Sequence, residues 1–110
     1  MEFNQLRYFC ALCEELNFTR AAKRCSVSQP SLTTGICLLE RQLGGLLFQR
    51  KPRVRLLPLG EAVRPYFKHI LETIDAATEI AEQHRLLANK KADAKQTQGQ
   101  PKGASTTWAS

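Results

Sequence analysis

Three groups of side chains in this sequence have the type and spacing to do chemistry. Gln29, Ser31, Thr33 and Thr34 crowd hydrogen-bonding groups into six residues. Glutamine can pair bidentately with adenine, and a threonine methyl can touch the methyl of thymine, so such a run at an exposed helix end can read base edges. The same residues also make an ordinary polar solvent face. Arg50, Lys51, Arg53 and Arg55 put four cations into another six residues, a density that suits phosphate oxygens. The third group is the thiols Cys10, Cys13, Cys25 and Cys37. Cys10 and Cys13 have the C-x-x-C spacing of metal and redox sites, but they fall mid-pattern in a helix, without the turn that presents such a pair. Cys25 and Cys37 stand alone. Reduced buried cysteine behaves as a small hydrophobe, so core packing is expected of all four, with no metal and no disulfide.

Little else suits catalysis. There is no glycine-rich phosphate loop and no acid pair in a plausible pocket. His69 and His84 both fall in one long helical pattern, where a histidine is more often a surface or seam residue than a catalyst. Neither catalytic residues nor a cofactor are expected. The 110 residues fit one domain, and the 43% hydrophobic content is ordinary for a globular protein. No apolar run approaches the roughly 20 residues of a membrane-spanning helix. The N-terminus MEFNQLRYFC lacks the basic-then-apolar pattern of a secretory signal, so a cytoplasmic location is expected. The net charge of +6 is uneven. Residues 1–57 hold nine Lys/Arg and four Asp/Glu, or +5; residues 58–89 hold three and five, or −2; residues 90–110 hold four and one, or +3. The basic front half suits a polyanion, although a solvated basic face is as common.

The hydrophobic periodicity supplies the elements that must position these groups. Phe3, Leu6, Phe9, Cys10, Cys13 and Leu16 predict a first helix over 3–16. Thr19 predicts the cap of a short second helix from Arg20 to Arg24 or Cys25. Ser26 and Val27 make the turn, with Val27 as its plug. Ser28 caps a third helix with Pro30 in its first turn, where a missing N–H costs nothing. Leu32, Ile36, Leu39 and Leu43 form that helix's buried stripe, and Gly44-Gly45 ends it. Two short strands around Arg50–Arg53 predict a β-hairpin. From Pro58 to about Ala88, Val63, Phe67, Ile70, Ile74, Ala77, Ala81 and His84 follow the 4-3 spacing of a coiled-coil seam, which requires a partner helix. Pro65 lies past the first turn and should cost a hydrogen bond. The predicted fold is mainly α: a winged helix-turn-helix of three helices plus a hairpin wing over residues 1–58, its helix-turn-helix at 18–37. A linker helix for dimerisation follows over 59–89, then a disordered tail over 90–110.

The stretch Phe18-Thr19-Arg20-Ala21-Ala22, followed by Val27-Ser28-Gln29-Pro30-Ser31-Leu32, resembles the helix-turn-helix of LysR-type transcriptional regulators. Leu39-Glu40, Leu43-Gly44, Leu47-Phe48, Arg50 and Gly60-Glu61 continue the resemblance in register, over about residues 3–88. It implies a dimeric regulator that binds double-stranded DNA. Gln29, Pro30, Thr33 and Thr34, flanked by Ser28 and Ser31, would take recognition-helix roles in the major groove. Arg50, Lys51, Arg53 and Arg55 would take wing and phosphate roles, and the linker helices would pair in a homodimer on a pseudo-palindromic site. Where many family members carry arginine or lysine, this chain has Thr34, Cys37 and Leu38, so its third helix has fewer phosphate anchors. Leu57 and Leu59 stand where threonine and alanine are frequent. Family members typically continue into an effector-binding domain, and no effector site is expected within these residues. The alternative role is an interaction protein that heterodimerises with full-length relatives and inhibits them.

Overall fold

The helices begin and end where side chains or special backbone conformations satisfy their free polar groups. A computed structural model describes residues 1–95 of the chain. Helix α1 (Phe3–Glu15) starts after Glu2, whose backbone N–H donates to the Gln5 side chain at 3.3 Å. It buries Leu6, Phe9, Leu12 and Cys13. The stripe is therefore shifted from the expected one: Phe3 is 59% and Leu16 44% exposed. Leu16 leaves the stripe because it is the C-cap, held in the left-handed conformation at φ 49°.

Helix α2 (Phe18–Arg24) is capped by Asn17, not by Thr19. The extended Asn17 backbone aims its carboxamide at the Arg20 N–H, 2.8 Å away, whereas Thr19 is already inside the helix. Ala21 and Ala22 are buried, and their small size lets α1 and the next helix approach. Ser26, at φ 59°, turns the chain, and the Val27 N–H donates to the Ala22 carbonyl at 3.0 Å. Val27 itself is half-buried against the core.

Helix α3 (Gln29–Leu43) has Ser28 as its cap, the hydroxyl accepting from the Ser31 N–H at 3.2 Å, and Gly44 closes it at φ 81°. Leu32, Ile36 and Leu39 are fully buried and Leu43 is half-buried. Gly35 is required by a close approach: a Cβ there would lie 2.6 Å from Cδ2 of Tyr8 on α1. Strands β1 (Phe48–Gln49) and β2 (Arg55–Leu56) pair antiparallel, Phe48 opposite Leu56 and Gln49 opposite Arg55. This is the wing.

Helix α4 (Pro58–Lys95) runs through Pro65, losing the bond that position's N–H would have made to the Glu61 carbonyl. It continues past the expected end near residue 89. Residues 90–95, expected in the disordered tail, are helical, because alanine and lysine are good helix formers and neither glycine nor proline occurs between Pro65 and Gly99. The rest of that expected tail, 96–110, lies outside the described residues.

Residues 1–74 form one compact unit, and a second begins at Asp75. The core of the first joins α1, α2 and α3 to Leu47, Phe48 and Phe67. Phe9 is its centre, tilted against Phe48 with ring centroids 5.5 Å apart and edge-on to Phe67 at 5.4 Å. Phe67, which heptad spacing assigns to a dimer seam, is 6% exposed and packed inside its own unit. Leu59, Val63 and Leu71 pack on the same core. Steps of four carry this stripe across α1 and the wing before a second chain could reach it. In the second unit, residues 75–91 are exposed, Ile80, Leu86 and Leu87 among them, and Arg85 pairs with Glu82. No helix among the described residues is long and apolar enough to cross a membrane.

Candidate nucleic-acid interface

The N-terminal turns of α3 leave Gln29, Pro30, Ser31 and Thr34 exposed and Thr33 half-buried. Ser28 is occupied as the cap, and its hydroxyl also donates to the Ser31 hydroxyl at 3.0 Å. Gln29 is not a freely turning amide. Its Oε1 accepts from the Thr19 hydroxyl at 3.0 Å, which leaves the Nε2 group, a pure donor, available. Thr19, predicted as a cap, therefore works across the turn between α2 and α3. A shallow cleft of about 240 Å³ lies beside these residues, lined by Phe18, Gln29, Thr33, Arg50 and Val54.

The wing's four cations divide into two kinds. Lys51, Arg53 and Arg55 are exposed, and none of them forms an ion pair among the described residues. Arg50 is engaged: Nη2 lies 3.2 Å from Glu40 Oε1, and Nη1 donates to Glu40 Oε2 at 3.3 Å and to the Phe48 carbonyl at 3.2 Å. Its guanidinium also stands over the Phe18 ring, 5.4 Å from the centroid. Glu40 is 5% exposed, and its Oε2 also accepts the N–H groups of Leu47 and Phe48 at 2.8 and 3.3 Å. The sequence groups Arg50 with the phosphate-facing cations; the structure gives it a carboxylate partner. Glu40 is a residue of this site that the sequence motifs alone do not single out. The available signal was its place four residues after the core residue Ile36, which turns an acid inward.

The thiols also divide. Cys13 is buried, and burial pushes its pKa up to about 12. Burial raises Cys10 and Cys25 as well, both half-buried, and the Cys25 thiol donates to the Arg7 carbonyl at 3.9 Å. Cys37 departs from the core expectation: it is exposed on α3, its sulfur accepting from Arg50 Nη2 at 3.8 Å. One residue past Ile36 is a turn of about 100° around the helix, off the buried stripe. Among the described residues, no group of three or more His, Cys, Asp or Glu is placed to hold a metal ion.

Residues 3–61 match the family model described as bacterial regulatory helix-turn-helix protein, lysR family. The HTH-type transcriptional regulator TfdS of Cupriavidus pinatubonensis is 49% identical over 73 residues, which is 66% of this chain and 25% of TfdS. BudR of Klebsiella aerogenes, also an HTH-type transcriptional regulator, is 46% identical over 82 residues, 74% of this chain and 57% of BudR. The crystal structure of a CbnR_DBD-DNA complex is similar at a TM-score of 0.70 and 37% identity, covering 77% of this chain and 99% of that one. The chain thus spans about a quarter of the length of a relative such as TfdS.

Proposed function

The chain belongs to the lysR family of bacterial regulatory helix-turn-helix proteins, and from that membership we propose that it is a sequence-specific, DNA-binding transcriptional regulator. Helix α3 enters the major groove by its N-terminal end, where Gln29, Pro30, Ser31, Thr33 and Thr34 meet base edges and phosphates. Lys51, Arg53 and Arg55 of the wing meet the backbone and the adjoining minor groove. Two chains bind together, paired through α4, so the site is a pseudo-palindrome whose half-sites lie about one helical turn apart. The role is recognition, not catalysis.

One observation carries this reading: an exposed, hydrogen-bonding helix start sits in the same unit as three exposed cations that form no ion pair among the described residues. The similarity to a domain crystallised on DNA supports it. Selection of bound duplexes from random DNA, run on the chain by itself, tests it. Enrichment of a pseudo-palindrome is the expected result. Enrichment of no sequence would overturn it. A chain that enriches nothing but blocks the DNA shift of a longer relative would support the interaction-protein reading instead.

A further inference from the structure

We propose that Glu40 is a positioning residue for DNA binding: acting through Arg50, it sets the pose of the wing, and Arg50 serves as the wing's anchor and not as a phosphate contact. The inference rests on the DNA-binding reading above. Four hydrogen bonds, two from backbone N–H groups and two from one guanidinium, converge on this single buried carboxylate. They bracket β1. Leu47 and Phe48 lie at its start, and Arg50 follows its end. The carboxylate therefore ties both ends of the strand to α3. Arg50 completes the clamp by donating to the Phe48 carbonyl and lying over Phe18, the first residue of α2. Both helices of the helix-turn-helix thus hold the root of the wing.

Lys51, Arg53 and Arg55 follow within five residues of that root. Their position relative to the start of α3 is set where the chain leaves Arg50. A buried charge stripped of its partner is costly, so the pair holds one arrangement against alternatives. Its two charges cancel, so DNA gains little attraction from Arg50 itself. A phosphate anchor and a clamp make opposite demands on residue 50. An anchor needs one positive charge, which lysine supplies. A clamp needs the planar fork that spans both carboxylate oxygens, which lysine lacks.

The test compares the affinity of the whole chain and of its Glu40→Gln, Arg50→Lys and Arg50→Ala variants for one duplex, over a series of salt concentrations, well below each thermal midpoint. Glu40→Gln keeps an oxygen for the backbone N–H groups but turns an amide toward the guanidinium. It also adds one net positive charge, which by attraction alone would tighten binding. The expected result is the reverse: binding weakened by about tenfold in Glu40→Gln, with Arg50→Lys as weak as Arg50→Ala. A second readout concerns residues not in contact. Arg53→Ala should lower the salt slope by about one in the wild-type background, and by clearly less beside Glu40→Gln. Should Glu40→Gln fail to fold, Arg50→Lys carries the test, because it leaves the carboxylate on both N–H groups. Tighter binding by Glu40→Gln, or wild-type affinity in Arg50→Lys, overturns the proposal while leaving the DNA-binding reading in place. A wild-type chain that binds no DNA overturns both.

Discussion

A glutamine side chain offers an oxygen and an NH2 side by side, which is why it suits the N7 and N6 of adenine. Gln29 is restricted, since its oxygen already accepts from Thr19. What remains is a donor pair, suited to acceptor edges such as purine N7, guanine O6 or thymine O4. Gln29→Ala is expected to cost about 1–3 kcal/mol at the preferred site and little on random DNA. Thr19→Val, which removes the hydroxyl at constant shape, should leave random-DNA affinity alone and move the preference at one base position toward adenine. Site selection on both variants checks this; equal losses on specific and random DNA for Gln29→Ala would limit Gln29 to folding or phosphate contact. The thiols make a second residue-scale prediction. Cys13 keeps its proton up to about 12 in the folded chain, against an ordinary value near 9 when unfolded. Between those values the native state binds more protons than the unfolded one, so stability falls as pH rises through that window and is unaffected by Cys13 below it. Denaturation midpoints across that range should fall more steeply with pH in the wild type than in Cys13→Ala. A thiol reagent at pH 8 should label exposed Cys37 first and Cys13 last.

Among the elements, periodicity reveals which stretches are helices better than it reveals how each one is rotated. The α3 stripe was legible because Leu32, Ile36 and Leu39 are spaced by the helical period and a serine and a glycine mark its ends. The α1 stripe is legible at Leu6, Phe9 and Cys13, but not at its ends, where Phe3 and Leu16 are exposed, nor at Leu12, which is buried. Phe3 and Leu16 are as apolar as Leu12, and nothing in their type says that a left-handed cap turns Leu16 outward. Asn17 and Thr19 are both good caps; the choice depends on which backbone is extended. The wing's cations were legible as a cluster, but the division between Arg50 and the rest depends on Glu40, ten residues away and in another element. The same kind of distant constraint governs the first turn of α4. A Cβ on Gly60 would lie 2.7 Å from the Leu47 carbonyl oxygen and 2.4 Å from Cδ1 of Leu56. That carbonyl is fixed by the Leu57 N–H at 2.8 Å, so it cannot easily yield. Alanine favours a helix over glycine by about 1 kcal/mol, whereas overpacking costs about 1–3 kcal/mol. The clash should win: Gly60→Ala is expected to lower the thermal midpoint, and a rise would show that the wing can slide away from α4.

At the scale of the whole molecule, the question is how much apolar surface α4 retains for a second copy. Phe67 is committed to Phe9 and the core of its own unit, and Val63 packs beside it. Of the seam predicted by spacing, Ile70 is 38% exposed and Ile74 half-buried, and Ala77 and Ala81 are exposed. Fully burying an exposed isoleucine contributes about 1.5–3 kcal/mol; these two are already partly covered, so each adds only part of that, and the alanines add little beyond a close approach. Association costs on the order of 4–15 kcal/mol in lost freedom of motion. Two isoleucines per chain barely offset that, so the chain should dimerise weakly, with DNA holding the two copies together on a full site. The two kinds of seam residue then respond differently to substitution. Phe67→Ala opens a cavity in a packed core and should cost about 3–5 kcal/mol, lowering the thermal midpoint equally at every protein concentration. Ile74→Glu should leave residues 1–57 folded but put two carboxylates where the helices meet. It is expected to abolish both the dimer and tight binding to a full site, while half-site binding persists. Sedimentation and DNA titration of the wild type and both variants decide it. A wild-type chain that stays monomeric at tens of micromolar, together with an Ile74→Glu variant that binds a full site as tightly as the wild type, would show that α4 pairing has no part in recognition.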